Sequence, residues 1–362
     1  MLENTIYKLK TDKKLTVGYF GGSITEGAGA SDPSLTSWRG ATFKWLCESY
    51  PDCEIKQVNA AIGGTGSQLG IFRCERDLLS KQPDLVFIEF SVNDSGNDYY
   101  NVIENSETIV RKILTANPFA DIIYVHTTTK AISDQLAVGG EYISRSGHSA
   151  VMHHYGIKQI DMGEILRAKT LTAGGDWKLY TRDDVHPNDE GYVLYTSSVV
   201  DFLKQALSAD TPERQTPHAL PAPLSASLRM TARLEDSYTV LDNDKTSSGW
   251  SKVDKSLCSR YEHYIEASEP GAELMYEFTG RRVGLYLMLA KDSGDLVYRI
   301  DDGEGKTLRT WDSYCKSFNR AGGMMLGGEL NEGKHKLYLR VADAKADESE
   351  GNVIRIGAFM VY

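Results

Sequence analysis

Residues 15–29 read LTVGYFGGSITEGAG. The first six are apolar or strand-forming, as a buried strand requires, and a turn with glycines at 21, 22, 27 and 29 follows around Ser23. Such a turn either cradles a phosphate or makes room for a nucleophile. Phosphate binding fails on residue identity. Gly22 and Gly27 have P-loop spacing, but Ala28 stands where a lysine must meet the terminal phosphates. In GGTGSQLG (63–70), Leu69 occupies the third glycine of the dinucleotide pattern. For a nucleophile the stretch is better suited. Gly21 and Gly22 let a carbonyl approach Ser23 and leave backbone N–H groups to face a developing oxyanion. Thr25 replaces the second glycine of G-x-S-x-G, so the common α/β-hydrolase elbow is not expected, and the next helix is expected only from Ser37. A turn serine also serves simply to satisfy backbone groups, so the groups that would activate it decide.

Outward from this turn the first half alternates. Strands are expected at 15–20, 53–60, 83–91, 121–129 and 157–161, and helices at 37–50, 67–82, 101–116, 141–155 and 188–207. Alternation of this kind predicts a parallel sheet covered on both faces, with sites at the carboxyl ends of its strands. The texture changes at ADTPERQTPHALPAPL (209–224), which holds four of the ten prolines and reads as a linker. Beyond it, alternating runs at 272–279, 282–290, 296–302, 334–342 and 353–362 predict a β-sandwich of jelly-roll type. The expected division is therefore 1–208, a 209–224 linker and 225–362.

Three further stretches fall on the strand ends. NAAIGGTGS (59–67) offers exposed amides at Gly64, and SVND (91–94) offers the side-chain amide of Asn93. TRDDVHPNDEGY (181–192) holds Asp183-x-x-His186, a spacing that lets the carboxylate reach imidazole Nδ1 on a turn. Asp184 is the rival partner, but at two residues' distance it should point elsewhere. Asn188 is placed to cap the helix that follows. Each stretch alone is a turn; the four in order, on one sheet edge, are a site.

In GGSI (21–24), NAAIGG (59–64), SVND (91–94) and DDVH (183–186) the chain resembles the SGNH/GDSL hydrolases over residues 14 to 207. The resemblance implies a three-layer flavodoxin-like α/β domain. It also implies Ser23 as nucleophile, His186 as general base and acid, and Asp183 as the residue that orients it. The Ser23 N–H, the Gly64 N–H and the Asn93 side chain would form the oxyanion hole. Gly22 departs from the pattern, where the family often has aspartate. The hydrolase domain followed by a jelly-roll-like module is similar to carbohydrate esterase family 17, acetylmannan esterases with a module of carbohydrate-binding-module-35 type. That implies a serine esterase removing O-acetyl groups from plant oligosaccharides, manno-oligosaccharides first and xylo-oligosaccharides as the near alternative. A lipid or thioester hydrolase and a non-catalytic sugar-binding protein are the competing classes.

Composition agrees with a neutral substrate. The 362 residues carry a net charge of −10, which disfavours nucleic acid and anionic membranes. No apolar run is long enough to span a bilayer, and the N-terminus shows no apolar leader, so a cytoplasmic location is expected. Five cysteines with no C-x-x-C support neither zinc nor a redox motif, and neither metal nor other cofactor is expected. Aromatic rings amid polar residues suit sugars, which makes Trp38, Tyr99, Trp177 and Tyr180 candidate substrate contacts, Trp177 foremost. Tyr298, Trp311, Tyr314 and Phe318 are candidates for a sugar-facing loop of the C-terminal module or for its core. The module itself is open to three roles: sugar binding, shaping the cleft, or forming a homodimer interface.

Overall fold

A computed structural model describes residues 2–255, 258 and 262–362. The chain forms two compact units, Met1–Met230 and Thr231–Tyr362. In the first, after α1 (Glu3–Tyr7), the order is β1 (Lys14–Gly21), α2 (Ser23–Glu26), α3 (Trp38–Ser49), β2 (Glu54–Asn59), α4 (Ser67–Asp77) and β3 (Leu85–Glu89). Then come α5 (Tyr99–Ala116), β4 (Asp121–His126), α6 (Lys130–Ala137), α7 (Ile143–His154), β5 (Lys158–Asp161), α8 (Met162–Thr172) and α9 (Asp189–Ala206). The five strands are parallel in the order β2-β1-β3-β4-β5, a doubly wound sheet whose strand order reverses between β1 and β3.

Side-chain alternation along β1 assigns its two faces. Tyr19 stacks on Phe87 and meets the edge of Trp38 from α3, while the next residue, Phe20, meets Phe90 and the Arg73 guanidinium from α4. Helices α3, α8 and α9 pack together, as do α4, α5 and α7. β3 is buried at every position, as its unbroken apolar run and central place demand. Four helices of this unit lie outside the expected set, α1 among them. α6 has only two turns. α8 begins directly at the end of β5, with the Asp161 carboxylate accepting from the Glu164 amide as its cap. The single turn α2 starts at Ser23, ahead of the expected Ser37.

Segment 209–230 clusters with the first unit. Asn4 exchanges side-chain hydrogen bonds with the Thr216 backbone, at 2.8 and 2.9 Å. His218 reaches Asp121 at 2.9 Å. The Glu107 carboxylate accepts from the Leu224 and Ser225 amides at 2.7 and 2.8 Å. Polar side chains of the helical unit thus satisfy backbone groups that a proline-rich stretch cannot pair by itself.

The second unit contains β6 (Arg233–Asp236), α10 (Ser237–Asn243), β7 (Ser251–Val253), β8 (Tyr264–Ala267), β9 (Glu273–Thr279) and β10 (Val283–Leu289). It continues with β11 (Asp295–Ile300), β12 (Lys306–Arg309), β13 (Arg320–Leu326), β14 (Lys334–Val341) and β15 (Ile354–Val361). One antiparallel sheet runs β13-β10-β15-β8-β7, with β6 beside β15, and the other β12-β11-β14-β9. Leu285, Leu287, Ile356 and Phe359 from the first share a core with Leu274, Tyr276, Leu337 and Leu339 from the second, the β-sandwich expected from alternation. Of the candidate aromatic loop, Trp311 is in this core and Tyr298 packs against it, whereas Tyr314 and Phe318 are exposed.

Candidate active site

β1 delivers the chain to the switch point and the glycines let it turn there. Gly22 is extended, Ser23 opens α2, and Gly27 closes that turn at φ 105°, a conformation favouring glycine. A Cβ on Gly21 would lie 2.6 Å from the Glu89 carbonyl oxygen, so glycine is needed for this approach to β3. Two buried charged side chains hold the turn from below. Arg73 donates to the Gly21 carbonyl at 3.0 Å and to the Ala60 carbonyl. Glu89 accepts from Thr25 Oγ1 at 3.0 Å and from Thr127 Oγ1 at 2.7 Å. Burial pushes the Glu89 carboxyl up to about 6 even against those hydrogen bonds.

The second loop brings the base. Thr181 and Pro187 bridge antiparallel, and the Arg182 amide donates to the His186 carbonyl, closing a tight excursion. Within it, Asp183 Oδ1 accepts from the amides of Val185 (3.1 Å) and His186 (2.8 Å), while Oδ2 lies 2.7 Å from His186 Nδ1. Asp184 turns away at φ 65°, its carbonyl accepting from the Lys130 amide. A carboxylate only accepts, so Nδ1 carries the proton and Nε2 is left to accept from Ser23 Oγ at 2.8 Å. Partial burial works to raise the Asp183 pKa, but the hydrogen bonds from His186 and Val185 outweigh it and hold the carboxyl below its usual value. The loop is pinned to the serine turn. The Tyr192 hydroxyl reaches the carbonyls of Ile24 and Ala28 at 3.1 and 2.7 Å, and Asp189 accepts from the Ser31 amide at 2.8 Å. Asn188 caps α9 through the Gly191 amide.

The loops after β2 and β3 lie beside the same turn. A Cβ placed on Gly63 would be 3.5 Å from Ser23 Cβ. The Gly63 amide is taken by Glu26 Oε2 at 2.8 Å, and the exposed Gly64 follows at φ 71°. The Asn93 side chain lies so close to Gly22 that a Cβ there would sit 1.9 Å from its Oδ1. A hydroxyl, an imidazole and a carboxylate in one hydrogen-bonded line can take a serine proton and make the serine a nucleophile.

The four aromatic candidates separate. Trp38 and Trp177 are 0% and 5% exposed and belong to the core beneath α3 and α9, so neither ring has a face to give a substrate. Trp177 sits in a 3-10 turn with its ring in the same cluster as Tyr192 and Tyr195; its polar neighbours suggest a substrate contact, but its indole is core. Tyr180 is half-buried against the same cluster, and Tyr99 is 37% exposed at the start of α5. Sequence reasoning missed Arg73, Glu89, Asp94 and His148, all buried around these loops. Among the described residues, no three His, Cys, Asp or Glu side chains cluster as a metal ion would need. Nor is any described helix long and apolar enough to cross a membrane.

Solved structures share this fold. Two crystal structures of a two-domain esterase (CEX) active on acetylated mannans, one of them co-crystallised with mannopentaose, match at 22% identity and TM-score 0.83. They cover 99–100% of this chain and 94–95% of theirs. An acetylxylan esterase from Geobacillus stearothermophilus matches 55% of this chain and 97% of its own at 18% identity and TM-score 0.42. No curated protein matches the chain. Residues 19–194 match the GDSL-like lipase/acylhydrolase family model, a span that runs from the end of β1 to α9 and contains all four blocks. The N-terminal unit of this chain therefore belongs to the GDSL-like lipase/acylhydrolase family and is a carboxylic ester hydrolase.

Proposed function

We propose that the protein is a serine esterase that removes O-acetyl groups from plant-derived oligosaccharides, acetylated manno-oligosaccharides in particular. The observation carrying this reading is the unbroken line from Ser23 Oγ through His186 to Asp183, at 2.8 and 2.7 Å, on the carboxyl edge of the sheet. Ser23 Oγ attacks the acetyl carbonyl as His186 Nε2 takes its proton. The tetrahedral oxyanion is held by the Ser23 and Gly64 amides and the Asn93 side chain. His186 then protonates the departing sugar oxygen, which leaves as a hydroxyl. Water, deprotonated by the same nitrogen, attacks the acetyl-serine, and the proton passes to Ser23 Oγ as acetate is released. Asp183 keeps Nδ1 protonated throughout and stabilises the imidazolium. The mannan preference draws on the whole-length likeness to the two-domain esterase active on acetylated mannans.

Mass spectrometry of acetylated mannan and xylan oligosaccharides after incubation tests the reading, with 4-nitrophenyl acetate and a long-chain ester as controls. Loss of acetyl mass units from mannan, abolished in Ser23→Ala, is expected. Preferential loss from xylan would move the substrate. Cleavage of the long-chain ester alone would make the protein a lipid or thioester hydrolase, and full activity in Ser23→Ala would sink the mechanism.

A further inference from the structure

The two loops assigned to the oxyanion are joined by one buried carboxylate. Asp94 follows Asn93 directly and is fully buried in the turn after β3. Its Oδ1 accepts from the Ser67 amide at 3.0 Å, where the Gly64 loop enters α4, and from Asn97 Nδ2 at 3.2 Å. The approach depends on Gly66, because a Cβ there would lie 2.2 Å from that oxygen. Its other oxygen, Oδ2, meets His148 Nε2 at 3.0 Å. His148 projects from α7 and is itself wholly buried. Its ring stacks on Tyr124 at 4.8 Å, whose hydroxyl accepts from the Phe90 amide. α7 grips the same turn a second time through Ser144 Oγ, which donates to the Ser91 carbonyl at 2.7 Å.

A role in packing alone does not account for this histidine. Its Nδ1 finds no partner among the described residues, a cost that an apolar ring of the same shape would avoid. What the imidazole adds is an N–H aimed at Asp94, which fixes that carboxylate's rotamer and thereby the spacing of the loops on either side. We propose that Asp94 and His148 are positioning residues that set the separation of Gly64 and Asn93, and so act on the oxyanion step through them. The inference rests on the reading above, in which those two residues bind the oxyanion.

The test compares His148→Phe, His148→Gln and Gly66→Ala with Asn93→Ala, each checked for folding by near-ultraviolet circular dichroism. The readouts are kcat and KM on 4-nitrophenyl acetate and inhibition by a boronic acid that adds to Ser23. His148→Phe should lower kcat by about 10-fold or more and weaken the boronate in step, with KM held within about 2-fold, because only tetrahedral species feel the misplaced donors. His148→Gln keeps an N–H for Asp94 and should recover most of the loss. Gly66→Ala forces the loops apart without touching His148 and should repeat the first signature, which keeps the test decisive if His148→Phe does not fold. Added to Asn93→Ala, His148→Phe should cost less than it does alone, because only the Gly64 donor is left to displace. Unchanged kcat in both His148→Phe and Gly66→Ala, or equal losses in the Phe and Gln variants, would overturn the proposal. Unchanged kcat in Asn93→Ala would instead overturn the oxyanion assignment beneath it.

Discussion

Gly22→Ala is the sharpest probe of the site. The backbone at Gly22 is extended, with φ −96° and ψ −154°, so alanine meets no conformational penalty there. The obstacle is the Asn93 side chain, whose Oδ1 would lie 1.9 Å from the new Cβ. Contacts of a Cβ below 3.0 Å essentially do not occur, so the amide must retreat by about 1 Å. Because the end of a side chain gives way, and not backbone, the fold should survive while the oxyanion donor is displaced. A misplacement of about 1 Å near the chemistry costs on the order of 100-fold, and complete loss of one donor about 100- to 1,000-fold in kcat, or ~3–4 kcal/mol. We expect Gly22→Ala to lower kcat on 4-nitrophenyl acetate about 100-fold, with KM changed by about 3-fold or less and the melting temperature nearly unmoved. Combined with Asn93→Ala, it should add only about 3-fold, since the group it displaces is gone. Gly22→Asp, which restores the residue common in the family, should do at least as much damage. Wild-type turnover in Gly22→Ala, or losses that simply multiply in the double variant, would refute the reasoning.

Two other outcomes follow from buried groups. Trp177→Ala should destabilise the N-terminal unit by about 3–5 kcal/mol in urea unfolding while KM for acetylated oligosaccharides stays unchanged in the folded enzyme; a raised KM at unaltered stability would return the ring to the substrate. Burial, with His148, Arg145 and His153 nearby, depresses His126 to about 3 although Gln159 hydrogen-bonds it at 2.8 Å. The folded protein therefore resists a proton that the unfolded chain takes up below about 6.5, so the stability this neutral histidine supports is intact above that pH and is lost progressively down to about 3. Between pH 7 and pH 5 wild type should lose roughly 2 kcal/mol more than His126→Gln, and parallel losses would contradict the assignment.

The elements read most securely were those whose signal is local. β1, β3 and β4 announce themselves as short apolar runs, and the serine turn as glycines on their far side. The Asp183–His186 contact spans three residues and a turn, so its spacing was visible in the chain. Asn188 as a cap was equally local. The short turn at Ser23, the two-turn α6 and strands such as β12 (KTLR) were not legible, because segments this short repeat their period too few times to stand out. Aromatic placement also escaped. Trp177 stands in GGDWKLY beside charged neighbours, and nothing in that stretch says that its ring turns under α9.

By itself, then, the sequence determined which chemical groups exist and on which strand ends they fall: a serine after β1, glycines after β2, an asparagine after β3 and an Asp-x-x-His before α9. Only the tertiary structure decided that the serine and the histidine, 163 residues apart, come within 2.8 Å. It alone revealed the supports: Glu89 and Arg73 beneath the turn, and Asp94 with His148 between the loops. The reason is physical. A backbone turn is specified by the few residues within it, whereas a buried ion or imidazole is specified by partners tens of residues away, brought near only when the sheet closes over them.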